Sequence, residues 1–137
     1  MTIKELYSIY YLEQEIEEYK NKIQELREMA ESVSANYSGM PSGGGNGNKI
    51  ENAVVAIVTY EESLSKAIRS KIEKTKEIQE YINGIEDAQT RLIMFLRFVQ
   101  HKPWSEVARK VGGHNTPSAV RMKAFRYIDE SCAKCAR

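Results

Sequence analysis

The stretch Trp104–Ile128, WSEVARKVGGHNTPSAVRMKAFRYI, contains two short helical patterns on either side of Gly112-Gly113. Ala108 and Gly112 supply the small residue and the glycine turn that a helix-turn-helix needs where its helices cross. Thr116 suits the N-cap of the second helix and Pro117 its first position, because proline lacks an N–H that would be unbonded there anyway. At about 100° per residue, Val120, Ala124, Tyr127 and Ile128 share one face. That face is expected to pack on Leu96, Val99, Val107 and Val111. Ser118, Ala119, Met122 and Arg126 lie opposite, flanked by Arg121 and Lys123. No acidic residue occurs between Glu106 and Asp129, where Arg109, Lys110, Arg121, Lys123 and Arg126 all fall. This is the pattern of a unit that reads double-stranded DNA.

Roles follow from the chemistry of a duplex. The first turns of a recognition helix meet base edges, so Ser118, Ala119 and Met122 are expected there, with Arg126 on a guanine or a phosphate. Asn115, Thr116, Arg121, Lys123, Arg109 and Lys110 are candidates for phosphates, which position a protein without reading sequence. Phe125 lies off the core face and is expected to cover an interface. The bland alternative is a plain three-helix bundle with a solvated basic face.

Immediately before this unit, Asp87 is placed to cap a helix over DAQTRLIMFLRFVQ. Its Leu92, Ile93, Phe95, Leu96, Phe98 and Val99 form the densest apolar cluster of the chain. A helix apolar around most of its circumference belongs in a core. His101-Lys102-Pro103 ends it, and Trp104, the sole tryptophan, reads as core rather than as a stacking platform.

Further out, residues 3–33 carry Ile9, Leu12, Ile16, Tyr19, Ile23, Leu26, Ala30 and Val33 at alternating spacings of three and four. This is a coiled-coil seam between charged flanks, and so narrow a stripe calls for one partner helix. Residues 34–48, SANYSGMPSGGGNGN, hold five of the eight glycines and read as a connector. A phosphate-cradling loop is disfavoured, because the Walker spacing and a preceding strand are both missing. Asn48 with Glu51 resembles a capping box opening a second helix. Its stripe is expected to run Ile50, Val54, Ile57, Leu64, Ile68, Ile78, Ile82 and Ile85, weakening at Glu61, Lys71 and Thr75. Asn83-Gly84 stops it. The expected fold is therefore all-α: an antiparallel coiled-coil hairpin over 1–86, then a helix-turn-helix unit over 87–137. The hairpin within one chain is the simplest arrangement; pairing between two chains would bury the same stripes and give a homodimer.

Charge divides along the same line. Residues 1–86 carry ten Lys/Arg and fifteen Asp/Glu, a net of −5, while residues 87–137 carry ten and four, a net of +6. Such asymmetry suggests one polyanion-binding end. The chain has 137 residues, 42% hydrophobic and 28% charged, as expected of an ordered protein. No leader pattern is recognisable, and the longest apolar run, Ala53–Val58, is far short of a bilayer span. A soluble, cytoplasmic protein without membrane contact is expected. Enzyme chemistry is not expected either: His101 and His114 stand in or beside turns with no paired carboxylates at a recognisable spacing. Cys132 and Cys135 form a C-x-x-C without the second pair that zinc requires, so neither metal nor cofactor is expected. A frayed, solvated tail is the reading for that end.

GMPSGGGNGNKIENAV at 39–54, followed by WSEVARKVGGHNTPSAVRM at 104–122, resembles a family of small phage and prophage proteins. They are related to RinA- and ArpU-type regulators, and their C-terminal part is similar to the fourth region of sigma factors. The resemblance covers nearly the whole chain and rests on the Gly-rich connector occurring together with GG-x-NT-x-x-x-VRM. It implies a DNA-binding regulator of late phage genes in a bacterial host, possible contact with RNA polymerase included. Pro103 departs from the Thr or Ser the pattern prefers before Trp104, leaving that helix start less well capped. His114 and Pro117 also depart, and they bear on sequence preference. The competing class is a structural or adaptor coiled-coil protein, such as a small terminase-like component or a host-factor-binding protein.

Overall fold

A computed structural model describes residues 1–36 and 45–137, and the described residues are all-α. In order, the helices are α1 (Ile3–Asn36), α2 (Gly45–Asn83), α3 (Ala88–Met94), α4 (Trp104–Val111) and α5 (Pro117–Cys135), with a five-residue π-turn, Phe95–Val99, continuing α3. Both ends of the expected connector are helical: 34–36 belong to α1 and 45–48 to α2, and 37–44 lie outside the described residues. α2 thus begins three residues before Asn48. Extending a long helix adds one hydrogen bond per residue, which offsets the roughly 1 kcal/mol cost of each glycine. The reciprocal capping box stands instead at the start of α1. Thr2 N donates to Glu5 Oε2 (2.6 Å), and Glu5 N donates to Thr2 Oγ1 (3.2 Å). Those bonds, the Thr2 amide first, lower the Glu5 pKa.

The chain forms two compact units, one of Met1–Tyr11 with Lys71–Arg137 and one of Leu12–Ser70. The division expected at residue 86 therefore falls inside the first unit. Leu6 and Ile9 of α1 and Ile78, Ile82 and Ile85 are buried in one cluster with Ile93, Met94, Leu96, Phe98, Val107, Val120, Ala124 and Ile128. The reason is the apolar girth of α3 and its π-turn, which needs more cover than two short helices offer.

In the second unit α1 and α2 run antiparallel and close on each other within the chain. Tyr19 meets Tyr60 at 6.1 Å between ring centroids, and Arg27 Nη2 lies 2.9 Å from Glu61 Oε1. Ile16, Ile23 and Leu26 are buried on the α1 side, as the seam predicts. On α2 the buried residue is Ala67, with Ile57, Tyr60 and Leu64 half-buried. Val54 and Ile68, expected inside, are 51% and 38% exposed. The crowd of aliphatics at 53–58 fits either of two registers, and the one that places small Ala67 inside turns Ile68 outward.

Within the first unit, Asp87 caps α3 as expected: its Oδ2 accepts from Thr90 N (3.0 Å) and Thr90 Oγ1 (2.6 Å). Leu92, expected in the core, is 43% exposed. Met94, two residues on and so on the opposite side of the helix, is buried in its place, and Phe98 is buried as expected. Gln100 N donates to Phe95 O (3.1 Å) and Lys102 N to Leu96 O (3.0 Å), closing the end through His101 at φ +55°. α4 packs chiefly on α5, and both pack on α3. α5 remains helical through Cys135, and half-buried Cys132 donates from Sγ to Met1 O (3.0 Å), so the expected frayed tail is an ordered helix end. Among the described residues no helix is long and apolar enough to cross a membrane.

Candidate nucleic-acid interface

The turn between α4 and α5 is built by backbone conformations open to few residues. Gly112 has φ +71° and ψ −159°, a region essentially reserved for glycine, and Gly113 and His114 follow at φ +64° and +62°. A Cβ on Gly112 would meet nothing within 4 Å, so the requirement is conformational rather than steric. Asn115 Nδ2 donates to Gly112 O (2.6 Å) and fastens the turn. Thr116 Oγ1 accepts from Ala119 N (3.1 Å), the N-cap bond anticipated for α5, and Pro117 holds the first helical position. Pro103 makes no side-chain cap to α4, as its departure from Ser or Thr implies.

α5 is anchored by Val120, Ala124 and Ile128, all within 1% of complete burial, with Tyr127 half-buried. The opposite face is open: Ser118, Ala119, Arg121, Met122 and Arg126 are exposed, Met122 at 60%. Arg126 pairs with no carboxylate among the described residues. The Arg121 guanidinium lies 5.2 Å from the Phe125 ring centroid, and Phe125 in turn meets Trp104 edge-on at 5.9 Å. Phe125 is therefore packed within the unit, not held out for an interface. Its half-buried ring gives Arg121 a platform that limits the freedom of a long side chain.

The remaining cations have intramolecular partners. Lys123 Nζ lies 3.0 Å from Asp87 Oδ2 and also donates to Gln89 Oε1, so it is not a free phosphate ligand. The Thr90 and Lys123 bonds hold the Asp87 carboxyl well below the usual range, keeping it charged at any ordinary pH. Glu106 has Lys102, Arg109 and Lys110 at 3.6, 3.8 and 3.9 Å. One carboxylate among three cations leaves a local excess of positive charge. Partly exposed pairs of this length contribute at most about 1 kcal/mol each, which a phosphate could outcompete. Asn115 and Thr116 are committed through the turn and cap bonds already described.

Lys102 escaped the sequence reading because it lies before Pro103, outside the helix pair. Periodicity places it nowhere; the i,i+4 pairing with Glu106 was the available signal. The Lys123–Asp87 and Lys123–Gln89 contacts span more than thirty residues and leave no local trace. Among the described residues no group of three or more His, Cys, Asp or Glu side chains could hold a metal ion.

A family model matches residues 31–129, a span that includes every candidate interface residue and begins near the end of α1. The chain belongs to that family, described as "Protein of unknown function (DUF1492)". No curated protein and no solved structure matches it.

Proposed function

From the geometry of α4, the turn and α5, we propose that the chain is a DNA-binding transcriptional regulator whose α4–turn–α5 segment docks on double-stranded DNA. The observation that carries the proposal is the outward face of α5. Ser118, Ala119, Met122 and Arg126 are exposed together, beside an aromatic-backed Arg121, on a helix whose other side is buried and whose sequence holds no acid before Asp129. Ser118, Ala119 and Met122 face base edges, the Met122 side chain suiting a thymine methyl. Arg121 and Arg126 supply the main charge contacts, with Arg109, Lys110 and Lys102 adding a weaker field around Glu106. The resemblance to RinA- and ArpU-type regulators supports a role at late phage genes in the bacterial cytoplasm, with RNA polymerase as a partner.

Salt titration of DNA binding by the full-length chain tests this. Arg121→Ala and Arg126→Ala should each weaken binding and reduce the slope of log K against log salt by about 1, whereas Lys123→Ala leaves the slope unchanged. Binding with no salt dependence, or a slope untouched by both arginine variants, refutes the assignment.

A second reading, a structural or adaptor protein, draws on a different surface. Val54, Val55 and Val58 are about half exposed or more on the hairpin, as is Met29, an apolar display that suits protein association or a homodimer. A discrete protein partner with no DNA retention would favour it.

A further inference from the structure

Tyr7, Tyr10, Tyr11, Arg97 and His101 line an open cavity of about 350 Å³, within the size range of small-ligand sites. All five residues belong to the first unit, and none is part of the proposed DNA face. Two backbone irregularities converge on this cavity. The π-turn Phe95–Val99 interrupts α3 and carries Arg97, and such turns recur at functional sites. His101, which closes the end of that turn, adopts φ +55°, a left-handed conformation uncommon for a residue bearing a Cβ.

The charge balance at Arg97 is the third observation. Its guanidinium lies 4.8 Å from the Trp104 ring centroid and 5.5 Å from that of Tyr7. Nη1 donates to Lys102 O (3.0 Å) and Nη2 to Tyr7 Oη (3.2 Å), while the buried Nε has no acceptor. Every partner is neutral, and no carboxylate pairs with Arg97 among the described residues. A half-buried cation compensated by dipoles and π-faces alone lacks the counter-charge that such groups ordinarily have. Around the same cavity stand Tyr10 and Tyr11, exposed, with ring centroids 5.7 Å apart, and His101, 6.4 Å from Tyr10. These rings offer faces and edges to a planar body.

We propose that this cavity binds a small aromatic anion, its carboxylate or phosphate facing Arg97 and its ring lying among Tyr10, Tyr11 and His101. The proposal is independent of DNA binding. Trp104, the sole tryptophan and stacked on Arg97, is a built-in reporter.

The test is a fluorescence titration of the full-length chain with benzoate and with phenyl phosphate; acetate, inorganic phosphate and phenol lack either the ring or the charge. The expected result is a saturable Trp104 response at least about tenfold tighter for one or both aromatic anions than for any of the three controls. The relative response to benzoate and phenyl phosphate identifies which oxyanion is preferred. Tyr11→Ala, at an exposed position outside the core, should weaken binding about tenfold or more without lowering the melting temperature. Arg97→Gln should abolish binding, and if it unfolds the chain the Tyr11 variant still decides. No saturable response up to about 10 mM, controls that bind as tightly, or a Tyr11→Ala protein that binds like the parent would overturn the proposal.

Discussion

The unit gathered around α3 and the hairpin arms of 12–70 bury apolar surface in different ways. In the first, side chains from all five helices converge, so Ile78, Ile93, Phe98, Val107 and Ala124 lose nearly all contact with solvent. In the second, two helices share one seam: Ile16, Ile23, Leu26 and Ala67 are buried while their neighbours remain half-open. A side chain enclosed from several directions has no simple way to relax when cut back, whereas a seam between two helices can close by sliding. The first unit is therefore the rigid platform on which the candidate DNA face and the Arg97 cavity are built.

Truncation should expose that contrast most strongly. Phe98→Ala is expected to cost about 3–5 kcal/mol, and Ile23→Ala about 2 kcal/mol, the low end for such changes because the seam can collapse. Urea unfolding followed by both far-UV ellipticity and Trp104 fluorescence checks this. Phe98→Ala should lower both transitions together, while Ile23→Ala lowers the ellipticity transition and moves Trp104 by less than about 0.5 kcal/mol. Equal shifts of both signals in Ile23→Ala would erase the distinction between the units.

A smaller effect separates two glycines of the platform. Gly112→Ala should destabilise by about 1–3 kcal/mol through backbone strain alone. Gly84→Ala should stay within about 1 kcal/mol of the parent, since Gly84 has no left-handed φ and its added Cβ would sit 3.4 Å from Tyr81 O. Comparable losses at both positions would show that steric room, not φ, governs these turns. Smallest of all is the hairpin's Arg27–Glu61 pair, 2.9 Å long with both side chains about half exposed. A double-mutant cycle should find a coupling below about 1 kcal/mol, and a larger value would make charge rather than the seam the hairpin's main support.

Local patterning in the sequence determined the helices of this protein. The α1 seam, the caps at Asp87 and Thr116, the glycine turn at Gly112 and the buried face of α5 all follow from residues within a few positions of one another. Those signals act over one or two helical turns, so they are legible in a single chain. The first turn of α1 was legible too, since Thr2 and Glu5 stand at capping-box spacing. What tertiary structure alone decided involves alternatives of nearly equal local energy. Val54 and Ile68 were as apolar as any seam residue until the partner helix selected the register containing Ala67. Lys123 matched Arg121 as a candidate cation until Asp87 and Gln89, distant in sequence, occupied its ammonium group. The π-turn that carries Arg97 at the cavity has no signature in composition or period. It arises where packing around α3 outweighs regular hydrogen bonding, a balance that exists only once the other helices are in place.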